Sequence, residues 1–135
     1  MAIALEIVSP EKLLISKPVD MVVIPAAEGD LGVLPQHAPM IVMLRGGTIA
    51  IHQAGQITDR LYVAGGFAEI TPERCTVLAN EAIPVAELSR QEGERRLAEA
   101  EAEYNNADKN DVPALDEAMD RMQAARAMIE AAPAT

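Results

Sequence analysis

Two histidines, three serines and one cysteine are the side chains of this chain best suited to nucleophilic or acid–base chemistry, and their settings argue against it. A hydrolase needs a nucleophile, a base within hydrogen-bond reach and a group that orients the base. Only His37 and His52 are available as the base. Ser9, Ser16 and Ser89 stand in turn or cap contexts, none of them in a Gly-x-Ser-x-Gly elbow. Cys75 opens an apolar stretch, the setting of a buried structural thiol rather than a reactive thiolate. As the single cysteine it excludes a disulfide framework and a cysteine-based zinc site, and it fits a reducing compartment. No glycine loop ends in Gly-Lys-Ser or Gly-Lys-Thr to cradle a phosphate. The pattern predicts no catalytic residue, no cofactor site and no metal site. His37 sits between Gln36 and Ala38-Pro39 in a long loop, where a backbone-bonded turn histidine is the plain alternative to a contact role. His52, between outward and inward positions around Ile49 and Ile51, reads as a surface strand residue.

Charge narrows the partners. The 135 residues carry 11 Lys and Arg against 21 Asp and Glu, a net charge of -10. That field repels a phosphate backbone, so nucleic acid is excluded as a partner. With Tyr62, Phe67 and Tyr104 the only aromatics, the core must be aliphatic and no base-stacking platform exists. The apolar runs at 19–27 and 38–44 fall short of the ~20 residues a membrane helix needs, and the start of the chain alternates like a strand rather than a leader, so the reading is a soluble protein that meets a membrane only through a complex.

Composition changes near Pro84. Before it lie nearly all Val, Ile and Thr and every glycine but Gly93, the residues of strands and tight turns. After it come Ala, Glu, Arg and Met, the residues of helices. The periodicity predicts strands over 2–8, 12–16, 19–25, 40–44, 48–53, 56–64, 67–71 and 75–79, joined in successive hairpins by Ser9-Pro10-Glu11, Gly46-Gly47, Ala54-Gly55, Gly65-Gly66 and Pro72-Glu73. The segment from Glu28 to Pro39, with two glycines and two prolines, reads as a structured loop.

Beyond Pro84, Ser89 followed by Glu92 fits a capping box, and Asp111 with Pro113 in the next turn fits a second helix start. Leu115, Met119, Met122, Ala125 and Ile129 recur at helical spacing. Glu92 with Arg96, Arg95 with Glu99 and Glu117 with Arg121 are spaced to pair within a helix. The predicted architecture is an N-terminal antiparallel β-sandwich over 1–84 followed by an antiparallel two-helix hairpin over 85–135. The hairpin faces are mostly alanine and methionine, which implies weak packing and a detachable element; the alternative is a helical cap docked permanently.

The run Glu28-Gly29-Asp30-Leu31-Gly32-Val33-Leu34-Pro35-Gln36-His37-Ala38-Pro39 resembles the epsilon subunit family of bacterial and chloroplast F-type ATP synthases. A second block, Tyr62-Val63-Ala64-Gly65-Gly66-Phe67-Ala68-Glu69-Ile70 continuing to Thr76-Val77-Leu78-Ala79-Asn80-Glu81-Ala82, resembles the same family. Together with the helical hairpin the resemblance spans essentially the whole chain. It implies a noncatalytic rotor subunit in the central stalk, attached to gamma and seated on the ring of c subunits at the cytoplasmic face of the bacterial plasma membrane. Carried onto this sequence, the c-ring contact falls on Glu28, Gly29, Asp30, Leu31, Gly32 and His37. The family's helices can also extend toward the alpha and beta subunits and inhibit ATP hydrolysis, which makes Arg90, Arg95, Arg96, Arg121 and Arg126 the residues of a regulatory arm. From Ala86 onward, however, twelve acidic residues face six basic ones. Where some members bind ATP through Ile-Asp-x-x-Arg-Ala, this chain has Ile83-Pro84-Val85-Ala86-Glu87-Leu88, which places a carboxylate where phosphate would need a cation. The residues alone leave open a ligand-responsive regulatory module with a helical lid, and a small hydrolase.

Overall fold

The computed structural model describes residues 2–133; Met1, Ala134 and Thr135, included in the two predicted domains, lie outside it. Ten strands are followed by two helices: β1 (Ile3–Ser9), β2 (Lys12–Val19), β3 (Met21–Ala26), β4 (Gly29–Val33), β5 (Met40–Leu44), β6 (Gly47–Gln53), β7 (Gln56–Val63), β8 (Gly66–Ile70), β9 (Arg74–Ala79), β10 (Ala82–Pro84), α1 (Arg90–Asn106) and α2 (Val112–Ala131). The sheet order is β10-β7-β6-β3-β5-β8-β9-β1-β2, with β4 paired to β3. β3 turns the corner. Met21 to Val23 pair with β6, whereas only Ala26 pairs with β5, at Leu44. The two halves share one aliphatic cluster, in which Ile3, Leu5 and Ile7 of β1 meet Ile49, Ile51, Leu61 and Val63 of β6 and β7. This is the expected sandwich followed by the expected helical pair.

Three departures from the sequence reading have physical causes. The segment read wholly as a loop contains β4, because its Asp30, Leu31 and Gly32 find partners in Pro25, Ile24 and Val23 of β3; pairing outweighs the low strand preference of glycine. β2 runs through Pro18 to Val19 instead of stopping at Ser16, since it pairs only with β1 and an edge strand has no second ladder for the missing N–H to break. β1 pairs in parallel with β9, Ala4 opposite Arg74 and Val8 opposite Leu78, so the strands are not all joined as successive hairpins.

The turns follow their residues. Ala54 and Gly55 have φ of 53° and 78°, the left-handed pair of a tight hairpin. Gly66 has φ 131°, and a Cβ there would collide with the Leu78 carbonyl. Ser89 Oγ accepts from the Glu92 N–H at 3.2 Å, and Asp111 Oδ1 accepts from the Ala114 N–H at 3.2 Å, so both predicted helix starts are capped. Glu117 does not pair with Arg121. Arg121 reaches across to Glu103 of α1 instead, tying the hairpin's two arms together.

Candidate interaction surfaces

Strand register assembles a surface that no single segment displays. Met43 lies opposite Phe67, Phe67 opposite Leu78, Leu78 opposite Val8, and Val8 opposite Leu13. This is an apolar row across five strands, β5-β8-β9-β1-β2, on the side facing away from the core. Met43 is 64% exposed and Leu13 54%, with Ile41 beside them at 68%. The neighbouring row is polar, Glu69 opposite Thr76 and Thr76 opposite Glu6, and Arg74 Nη1 meets Glu6 Oε1 at 2.6 Å. A sheet that is apolar on both faces is built to be covered on both.

The second surface is the β3–β4 turn. Glu28, Gly29 and Asp30 are all exposed, and Gly29, at φ 145°, leaves open space around its Cα. Asp30 is 63% exposed and its Oδ1 accepts from Arg45 Nη2 at 2.9 Å. Arg45 Nη1 donates to the Ala26 carbonyl at 2.8 Å, so one guanidinium grips both strands of the turn. Leu31 points inward against the core and serves as a strut, and Gly32 is exposed opposite Val23.

The structure does not bring His37 to that turn. Ala26 stands beside Leu44 at one end of β5, while the Gln36 N–H donates to the Pro72 carbonyl near Met40 and Ile70 at the other. The two regions are separated by roughly the length of β5, about 13 Å. His37 Nδ1 lies 2.8 Å from the Ala38 carbonyl, the backbone-bonded arrangement of a turn histidine. His52 is half-buried opposite Met21. Cys75 is fully buried, and burial pushes its thiol up to about 11, so it is inert as a nucleophile.

The third surface is the seam between hairpin and sandwich. Tyr62 of β7, 1% exposed, packs with Leu88 and Met128 and donates its hydroxyl to the Ala124 carbonyl at 2.9 Å. Gln123 of α2 accepts from the Gly46 N–H at 2.8 Å and donates to the Gly46 carbonyl at 2.6 Å, as a neighbouring strand would. Arg96 of α1 forks onto Glu81 at 2.5 and 3.0 Å and also meets Glu92 at 2.9 Å. Hydrogen bonds from Arg95 and Arg96 hold the Glu92 carboxyl down to about 2. Arg90 pairs with Glu94, and Arg95 with Glu92 and Glu99. Of the five arm arginines, only Arg126 forms no ion pair among the described residues.

Sequence reasoning missed the apolar row and the Arg45 grip. The row left one trace: β5 reads Met-Ile-Val-Met-Leu without alternation, the mark of a strand covered on both faces.

With the geometry established, similarity to known proteins is extensive. Residues 2–85 match the family described as ATP synthase, Delta/Epsilon chain, beta-sandwich domain. The chain is 73% identical over 129 residues to the ATP synthase epsilon chain of Granulibacter bethesdensis, covering 96% of each. It is 54% identical over 132 residues to that of Gluconacetobacter diazotrophicus, covering 98% of this chain and 94% of the other. Its fold resembles a chain in the Euglena gracilis mitochondrial ATP synthase structure of OSCP, F1 and c-ring, with TM-score 0.78 and 23% identity over 96% of this chain and 81% of that one. A chain of the Tetrahymena thermophila central stalk and c-ring gives TM-score 0.64 and 12% identity, covering 97% and 96%. At such identities the structural likeness speaks for the fold.

Proposed function

The chain belongs to the ATP synthase epsilon-chain family, and from that premise we propose that it is a noncatalytic rotor subunit of the central stalk, clamped to gamma by its open sheet face and seated on the c ring by its β3–β4 turn. The observation that carries the reading is the apolar row from Met43 to Leu13. A monomer gains nothing by aligning four exposed apolar side chains around a half-buried Val8, whereas a permanently attached partner buries them at ~25 cal/mol per Å2. The acidic turn suits a different contact. It projects from the end of the sandwich, its glycine permits close approach, and Glu28 and Asp30 present negative charge to basic loops of a ring. His37, at the opposite end of β5, borders the gamma-facing sheet instead. Association with the complex at the cytoplasmic side of the inner membrane follows from these contacts; among the described residues no helix is long and apolar enough to cross a membrane.

The hairpin serves in this reading as a regulatory arm whose extension along gamma restrains ATP hydrolysis. Its docked state uses four of its five arginines internally, so extension requires breaking the Arg96–Glu81 fork and the Tyr62 bond. ATP is not the ligand that decides between the states. The cleft of about 960 Å3 between the helices and the sandwich is lined by six carboxylates, Glu11, Glu81, Glu99, Glu103, Glu117 and Asp120, against four cations.

Retention in detergent-solubilised complexes tests the gamma face. Met43→Asp should abolish copurification with gamma while shifting thermal stability by within ~0.5 kcal/mol, as exposed substitutions do. Ile57→Asp, exposed on β7 away from the row, should be retained. The opposite pattern would overturn the assignment. For the c-ring contact, Asp30→Lys should lower ATP-driven proton pumping in vesicles without loss of the subunit from the complex; unchanged pumping would remove the turn from the interface.

A further inference from the structure

The hairpin and the acidic turn meet at one backbone segment, Arg45-Gly46-Gly47. On one side, the Arg45 N–H donates to the Pro25 carbonyl at 3.0 Å, Nη1 to the Ala26 carbonyl at 2.8 Å and Nη2 to Asp30 at 2.9 Å. The Ala27 N–H donates to the Met43 carbonyl at 2.8 Å, closing the base of the turn. On the other side, both backbone polar groups of Gly46, its N–H and its carbonyl, are taken by the Gln123 amide. A Cβ on Gly46 would stand 2.5 Å from the Ala124 Cα, so the helix rests directly on this backbone. A depression of about 540 Å3, lined by Asp30, Arg45, Gln123, Arg126 and Glu130, joins the two sides.

We infer that docking of the hairpin is read out at the acidic turn, through Gln123 holding Gly46, Gly46 fixing Arg45, and Arg45 holding Asp30. Two adjacent glycines have little conformational preference of their own. Arg45 is followed by such a pair, and Gln123 supplies the restraint that the glycines lack. When α2 leaves, the Gly46 N–H and carbonyl pass to water and the residue that grips the turn loses its fixed anchor. Asp30 is then released from its cation and presents a fuller charge. A coupling of this kind is reciprocal: whatever the docked helix does for the turn, an ordered turn does for docking. The coupling is a property of the free chain; its consequence for the rotor rests on the placing of Glu28 to Asp30 against the c ring.

Amide hydrogen exchange followed by NMR on the full chain tests it without any partner. Gln123→Ala/Tyr62→Phe removes the three hydrogen bonds from α2 to Gly46 and Tyr62. Exchange at the Arg45 and Ala27 amides should rise about fivefold or more, the low end of ordinary site-to-site coupling, with displaced Gly29 and Asp30 resonances. Gln123→Ala alone should give part of the same change. In the reverse direction, Arg45→Ala should lower the Tyr62 phenol from about 12 toward its ordinary 10 as the docked helix loosens. Wild-type exchange at Arg45 and Ala27 in the double variant overturns the inference whether the helix stays or leaves, because Gly46 has lost its partners in either case. Since no c ring is present, that failure is separable from failure of the Asp30→Lys pumping experiment.

Discussion

The sandwich and the hairpin are held by different means. The sandwich shares a cluster of seventeen buried residues, none of them from the helices, and fourteen of those are Val, Leu or Ile. At ~1.5–3 kcal/mol for each large aliphatic side chain, burial there contributes a few tens of kcal/mol. The hairpin's cluster with the sandwich has three buried members, Tyr62, Leu88 and Met128. The rest of the attachment is alanine contact and a few directional bonds. Hydrogen bonds contribute ~0.5–1.5 kcal/mol each, and a partly exposed fork such as Arg96–Glu81 less than its geometry suggests. One part of the chain is therefore fixed by bulk and the other by a small number of separable contacts.

Truncation in each region should draw that contrast most sharply. Ile51→Ala, in the sandwich, should cost ~2–5 kcal/mol and lower the main thermal transition of the protein. Met128→Ala, an equally buried truncation, should instead loosen the helices, seen as faster amide exchange in α2 with the sandwich transition kept. A single shared transition that falls equally in both variants would mean that the two parts unfold as one.

A smaller effect comes from alkali. Burial pushes the Tyr62 phenol up to about 12; the Glu81 charge adds to this and Arg96 opposes it. Because the folded value lies above the ordinary one, the stabilisation is complete below about pH 10 and disappears as pH climbs through 12, where the phenolate has no proton to give the Ala124 carbonyl. The loss should approach ~2–3 kcal/mol, about two pKa units. It should appear as undocking by circular dichroism and exchange, and Tyr62→Phe should flatten that window. The smallest expected effect is none: ATP at millimolar concentration should leave the unfolding temperature unchanged, whereas a site of ~1 mM affinity would begin to raise it. A rise with ATP would show that the acidic cleft accepts nucleotide after all.

Local chemistry made much of this fold legible. Ser89 and Asp111 announced both helices by their caps, and Ala54-Gly55 and Gly65-Gly66 announced their turns, because each signal lies within four residues of the structure it sets. What escaped depends on distance along the chain. β4 needed β3 as a partner to become a strand, and β10 is a three-residue strand paired with β7. The apolar row draws single residues from five strands between Val8 and Leu78. Each looks ordinary in its own segment, and only register makes them neighbours. The exposed setting of Glu28 to Asp30 was legible, whereas the position of His37 was obscure, since it shares a loop sequence with them but not an end of the sheet.

The parallel pairing of β1 with β9 has a consequence for how the protein is made. Ala4 and Arg74 are neighbours in the sheet but 70 positions apart in the chain. On the ribosome β1 has only β2 to pair with until the ninth strand emerges, a wait of several seconds at ~5–20 residues per second. Until β6 and β7 follow, Ile3, Leu5 and Ile7 have no opposite layer to bury them, and β1 lacks its second neighbour in the sheet until β9 is made. Closure of the barrel-like core is therefore a late, nonlocal event, and nascent chains halted before Ala79 should be the ones that chaperones capture.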